Sequence, residues 1–338
     1  VDAIESIGGP AQVPACGSVA FGQLIRIKAA SDRSVNNRAD PAGDVRRPII
    51  CRRTCSGMRI ALISILILAA ALVAGLALWR QFDKRADRAE MERLIAAQPS
   101  DPARFTPEMV ADLPEPARRF FSFAIAEGTP LFTVARIEME GQFGMGDAAA
   151  PGYMPMHATQ VLAAPDGFVW AMSAGAGAFR MSGSDSGSWT RFWLYGVVPV
   201  ARLGGNPDHR RAAFGRYVAE AVFWTPAAVL PGPGVTWAPV SDDTARVTMR
   251  HDGLEQSVEV TVAADGRPLQ VSFQRWSDAN PEKVYRLQPF GGYLSEFREF
   301  GGFTLPTHVE AGNMFETEDY FPFFIVDITD ISFPQPDR

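Results

Sequence analysis

The feature that most constrains this chain is the run from Ile60 to Trp79, which carries no charge and has only Ser64 and Gly75 outside the strongly apolar set. Roughly 20 such residues, rising about 1.5 Å each, cross a hydrocarbon layer of about 30 Å, so the run predicts one membrane-spanning helix. A cleaved signal peptide is the rival. Its apolar core is usually about 7–15 residues long and is followed by a small-residue cleavage site. Here Gly75 and Ala77 sit inside the run. Trp79 suits the interface, and Arg80, Lys84, Arg85, Arg88 and Arg93 continue as a charged juxtamembrane helix toward Ala97.

The run divides the sequence. Residues 1–57 show no sustained helical or strand period and read either as disordered or as an extension foreign to the native protein, because Met58-Arg59 has the layout of a start with a short basic lead. Residues 58–80 are the expected anchor, 81–106 a juxtamembrane helix and linker, and 107–338 a β-rich globular domain. Orientation depends on the first segment. With a start at Met58, the lysines and arginines after the run favour a cytoplasmic domain, whereas Arg46, Arg47, Arg52, Arg53 and Arg59 balance them if residues 1–57 are present.

Within the domain, Pro114-Glu-Pro116 opens a short helix running to Glu127, with Phe120, Phe121, Ala124 and Ile125 as its apolar face. Ile137, Met139 and Phe143 alternate with Arg136, Glu138, Glu140 and Gln142, the period of a half-buried strand. Further strands are expected near 156–162, 167–173, 179–183 and 188–195. A second helix follows Asn206-Pro207 and reaches Phe223; strands then resume, separated by Asp242-Asp243, Asp252-Gly253 and Asp265-Gly266. The last hairpin and strand are expected over 294–311 and 320–333. This order predicts an α+β fold: a curved, mainly antiparallel, half-barrel-like sheet with two or three packed helices.

The chemistry is sparse. The three cysteines, Cys16, Cys51 and Cys55, all precede the apolar run, so the domain has no disulfide and no thiolate. A net charge of −6 offers no basic footprint for nucleic acid. HExxH, GxSxG, SxxK and P-loop patterns are absent, and Gly183-Ser-Asp-Ser-Gly187 has Asp185 where a nucleophile would stand. No metal and no cofactor is expected. His308, Glu310, Glu316, Glu318 and Asp319 match no calcium-loop spacing and read as solvated hairpin ends.

Two features remain. On the helix after Asn206, Phe214, Tyr217, Val218, Ala221 and Val222 form one stripe, while Arg216 and Glu220 pair at i,i+4 away from it. That pair reads either as a surface ion pair or as the mouth of a cavity walled by Tyr217 and Trp224. The dense aromatics read either as packed core or as the lining of a void by Trp170, Phe192, Trp193 and Phe273.

The segments Leu113-Pro-Glu-Pro-Ala-Arg-Arg-Phe120, Ala158-Thr-Gln160, Gly167-Phe-Val-Trp170, Arg216-Tyr-Val-Ala-Glu220, Trp224-Thr-Pro226 and Leu230-Pro231 together resemble a bacterial family of unknown function, over most of residues 110–333. That family brings no activity with it. The stretch from Gly292 to Glu310 looks like the final hairpin of LolA/LolB-type lipoprotein carriers, whose curved sheet wraps helices and holds acyl chains. This second resemblance implies an envelope location, with the chain in the inner membrane and the domain on the extracytoplasmic side. The reading that follows is non-catalytic: a membrane-anchored domain that handles an apolar or amphipathic ligand such as a lipid. The alternatives are an envelope protein–protein interaction module and a carboxylate-based hydrolase without standard motifs.

Overall fold

The structure, a computed structural model, describes residues 51–335, with side chains from Gly57 onward. Expectations for residues 1–50, Cys16 among them, lie outside the described residues. The ordered elements are three α-helices, α1 (Cys51–Ala96), α2 (Glu115–Ala124) and α3 (Pro207–Trp224), and the strands β1 (Ala135–Gly144), β2 (Tyr153–Ala163), β3 (Gly167–Ala174), β4 (Met181–Ser186), β5 (Trp189–Leu194), β6 (Val198–Gly204), β7 (Val235–Pro239), β8 (Thr244–His251), β9 (Leu254–Val262), β10 (Pro268–Ser277), β11 (Arg286–Phe300), β12 (Phe303–Asn313) and β13 (Phe321–Ser332). All thirteen strands join one antiparallel sheet in the order β6-β5-β4-β3-β2-β1-β13-β12-β11-β10-β9-β8-β7. The expected curved antiparallel sheet with packed helices is what forms.

Local sequence explains the punctuation. Asp252 and Gly253 both take positive φ, 50° and 74°, as a two-residue hairpin requires. Asn206 caps α3 by accepting a hydrogen bond from the His209 N–H at 2.9 Å, with Pro207 in the first turn. α2 stops where Ile125 turns extended and bridges Phe303. The helix is therefore shorter than the stretch to Glu127. The fourth strand lies at Met181–Ser186 rather than 179–183, and β6 was not expected at all. Pro199 in β6 argues against a central strand, but β6 is the sheet's edge, where a missing N–H costs little.

The curl has a sequence basis. Gly291 pairs with Gly312 and Gly292 with Ala311, while Gly141 lies on β1 beside β13. A Cβ at Gly141 would strike the Ile325 carbonyl, and one at Gly312 the Phe321 carbonyl. The sheet can close up there only because these positions lack side chains.

α3 links the two outer strands, β6 and β7, and crosses the concave face to do so. Gly215 lets it approach closely, since a Cβ there would meet Gln256 Oε1 at 2.7 Å. Instead of one buried stripe, most of its length from Ala213 onward is buried, because the sheet wraps it from both sides. α2 fills the end where Phe105, Phe120, Phe121 and Phe303 pack. Arg119 fastens it, donating to the carbonyls of Ala263 (2.9 Å) and Asp242 (2.7 Å) and pairing with Asp243 at 2.9 Å.

α1 runs without a break from before the apolar stretch, taking in the last residues of the segment expected to lack structure. Residues 57–79 leave the domain; their side chains are exposed apart from Leu76, which is half-buried. Beyond them the helix lies on the convex face. The Asp83 carboxylate accepts from Trp193 Nε1 at 2.8 Å and from both Arg202 Nη atoms at 2.8 and 3.0 Å. Asp87 accepts from Ser184 Oγ at 2.6 Å, and Leu94 packs with Val134, Val161, Ala163 and Val169. Gln98 completes the dock: its Oε1 accepts from the Thr133 and Val134 N–H groups at 2.9 and 3.0 Å, and its Nε2 donates to the Val134 carbonyl at 2.7 Å. Gln98→Ala loses three hydrogen bonds at a buried position and is expected to cost about 2 kcal/mol, to be measured by urea unfolding of the detergent-solubilised chain.

Candidate functional site

Between α3 and the concave face lies a cavity of about 250 Å³. Its deep wall is apolar and buried: Trp170 from β3, Ala219, Phe223 and Trp224 from α3, Val271 and Phe273 from β10, and Val309 from β12. Partly exposed phenyl rings stand at its mouth, namely Phe143, Phe192, Phe290 and Phe323. The rings touch one another: Trp170 lies 6.4 Å from Phe192 and 6.1 Å from Phe324, and Phe290 lies 5.4 Å from Phe273.

One flank is polar. Arg216 Nη1 donates to Asp185 Oδ2 and its Nε to Glu220 Oε1, both at 2.7 Å. Gln160, fully buried on β2, donates to Glu220 Oε2 at 2.6 Å, and Thr190 donates to Asp185 Oδ1 at 2.5 Å. The Arg216 guanidinium lies over the rings of Phe168 and Trp170, at 4.6 and 5.1 Å. Burial works against its charge, but Glu220 and Asp185 outweigh burial and hold its pKa above the ordinary value. His209 Nε2 reaches Thr190 Oγ1 at 3.1 Å; burial, against the pull of Asp185, lowers its pKa and keeps it neutral.

Arg275 differs. Its guanidinium lies 4.8 Å from the Phe290 ring, and its Nε is shut off from solvent without a hydrogen-bond acceptor. Burial first, and then repulsion from Arg216, pushes its pKa down to about 10. An arginine that stays charged in an aromatic wall without an acceptor is costly unless something else supplies one.

Of the residues expected at a ligand site, Trp170, Phe192, Arg216, Glu220, Trp224 and Phe273 line this cavity. Trp193 and Tyr217 are placed elsewhere. Trp193 is buried on the convex side, 5.5 Å from Trp79, and Tyr217 packs against Phe168 and Phe214 with its hydroxyl donating to the Pro165 carbonyl at 3.2 Å. The alternative of a solvent-facing Arg216–Glu220 pair does not hold, because the two side chains are only 16% and 13% exposed. Sequence reasoning missed Arg275, Asp185 and Thr190 as cavity residues. Arg275 could have been found, since it shares a strand face with Val271 and Phe273, four and two residues earlier.

A wider hollow of about 430 Å³ lies under α1 on the convex side, lined by Arg80, Lys84, Asp87, Glu138, Glu140 and His157 among others. It is open and polar. Among the described residues no group of three or more His, Cys, Asp or Glu side chains is placed to hold a metal ion; His308 pairs with Asp327 at 2.7 Å and Glu310 at 3.4 Å.

Residues 103–325 match the family described as "Family of unknown function (DUF6544)". The chain belongs to this family. The match spans α2, the cavity and α3, so Arg119, Arg216 and Glu220, which stand in the segments that carried the resemblance, all lie within the DUF6544 domain. No curated protein matches the chain. Among solved structures it is similar to a domain named for outer membrane lipoprotein sorting from Vibrio parahaemolyticus, at 11% identity and a TM-score of 0.31, covering 67% of this chain and 91% of that one. It is also similar to a LolA superfamily protein from Nitrosomonas europaea, at 10% identity and a TM-score of 0.29, covering 61% and 86% of the two chains. At such scores the names of these proteins say nothing about what the DUF6544 domain binds.

Proposed function

We propose that this DUF6544 domain binds a single-chain amphipathic molecule with an anionic head, next to a membrane that α1 crosses. The observation that carries this reading is the aromatic cavity with the half-buried Arg275 in its wall, the Nε of which has no hydrogen-bond acceptor. Apolar chain would fill the space among Trp170, Phe273 and Trp224, each buried methylene contributing about 0.8 kcal/mol. The head would then pair with the charge of the Arg275 guanidinium. The volume, about 250 Å³, falls just under the roughly 300–1,000 Å³ usual for small-molecule sites, which favours one acyl chain over a whole diacyl lipid. For the membrane, the support is a helix long and apolar enough to cross one, its apolar stretch exposed along its length.

The cavity separates this reading from its competitors. An interaction module would be expected to have a filled interior. A carboxylate hydrolase needs a free base, but Asp185 and Glu220 both face Arg216 and are further hydrogen-bonded by Thr190 and Gln160.

The test is fluorescence titration of the detergent-solubilised full chain with a medium-chain fatty acid and with the alcohol of the same chain length. Arg275→Met is expected to weaken fatty-acid binding by about tenfold, the loss of a charged hydrogen bond worth about 1.5 kcal/mol, while leaving the alcohol unaffected. Equal affinity for acid and alcohol in the unsubstituted chain would remove the head-group part of the reading; no binding of either would remove the whole.

A further inference from the structure

The strand directions fix where α1 leaves the domain. Antiparallel register puts the loops 145–152, 175–180, 195–197, 252–253, 278–285 and 314–320 at one end of the sheet. α1 begins its contact at the opposite end, where Gln98 and Leu94 meet Val134 and Val169, and runs diagonally over the convex face. It departs at the corner formed by β5 and β6: Trp79 lies 5.5 Å from Trp193 and 4.4 Å beneath the Arg202 guanidinium. Trp79 is the last residue of the apolar run. The level at which that run ends is therefore also the level of the β5–β6 hairpin.

At the tip of that hairpin Tyr195, Val198 and Val200 are 54%, 46% and 39% exposed, three large apolar side chains within six residues, and Phe82 of α1 is 62% exposed. Of the domain's other exposed large apolar residues, Met109, Val240 and Leu269 stand singly, and Val284, Leu287 and Tyr293 form a second group around the start of β11. Basic side chains follow the apolar run. Lys84, Arg85 and Arg88 are exposed on α1, and Arg202 and Arg191 of the sheet pair with Asp83 of α1. Apolar side chains followed by lysine and arginine suit the boundary between acyl chains and anionic headgroups.

We infer that the β5–β6 hairpin is a second membrane contact, seated in the headgroup layer of the bilayer that α1 crosses. This rests on the membrane-spanning reading of α1. The occupant of the edge is thus a lipid surface, continuous with the helix, rather than a protein strand. The mouth rings Phe143, Phe290 and Phe323 lie toward the loop end of β1, β11 and β13, the end at which α1 departs, so the mouth of the cavity opens at the membrane end of the domain. A single-chain amphiphile can then pass between bilayer and cavity without crossing water.

The experiment uses the full chain, with Cys16, Cys51 and Cys55 replaced by serine, reconstituted into vesicles of phosphatidylcholine and phosphatidylglycerol. Nitroxide labels are placed singly at Leu72→Cys in the apolar run, Val198→Cys at the hairpin tip and Leu269→Cys, an apolar exposed site at the far end of the sheet. Collisions with oxygen and with a water-soluble nickel chelate report depth. The inference expects Leu72 deep, Val198 at the headgroup boundary with several-fold less nickel contact than Leu269, and Leu269 in water. Leu72 deep with Val198 as wet as Leu269 overturns the hairpin contact while leaving the anchor standing; Leu72 in water overturns both. Protection of Val198 that disappears on diluting the protein among the vesicles would mean that a second copy covers the edge, and would overturn the lipid contact.

Discussion

Arg216→Ala is expected to remove about 3–5 kcal/mol of folding stability, the usual cost of stripping one partner from a buried ion cluster. The substitution leaves Asp185 and Glu220, 19% and 13% exposed, without the cation that faces both. Gln160 and Thr190 can still donate to them, but neither carries charge. Urea unfolding of the solubilised chain, followed by tryptophan fluorescence, measures the loss. The triple variant Arg216→Ala, Asp185→Asn, Glu220→Gln removes the orphaned charges too and should recover part of it. A loss of about 0.5 kcal/mol or less would mean that the pair behaves as an exposed i,i+4 pair after all.

Ala219→Trp should abolish most ligand binding without unfolding the domain. Ala219 faces the cavity from α3 and is 4% exposed, so an indole there has nowhere to go except into the space. Displacing about four methylenes of ligand costs about 3 kcal/mol, or about two hundred-fold in affinity. Because the side chain fills an existing void, the melting temperature should hold or rise. Fatty-acid titration and circular dichroism of the same sample decide it: unchanged affinity in a folded variant would place the ligand outside this cavity.

What could be read from the sequence and what could not divides along physical lines. Period-two alternation gave β1 and its neighbours, and Asp-Gly pairs gave the turns, because both signals are local. β6 escaped notice because Pro199 looks like a strand breaker until its edge position is known. The cavity walls were half legible. Phe192 and Trp193 are adjacent in a strand and must face opposite sides, so only one could line a void in the concave face. Tyr217 likewise follows Arg216 by one helical position, about 100° around the axis. What no local pattern contains is the pairing of Arg216 with Asp185, 31 residues earlier, or the docking of Asp83 on Arg202, 119 residues later. Those depend on the sheet being assembled.

The seam between β1 and β13 at the middle of the sheet has a consequence for how the protein is made. The first strand to leave the ribosome waits for the last. Until residues 321–332 emerge, β1 lacks its partner on one side and β12 lacks its own, so the nascent domain is two half-sheets joined through α3. Each half can zip up from local hairpins, but the joining step is long-range and therefore slow. During that interval the open edges are the central strands β1 and β12, unpaired backbone that other chains can add to. A chain terminated before Phe321 loses the keystone between its halves rather than one strand from a margin, and quality control in the cell should find such a product far easier to recognise than one shortened at an outer edge.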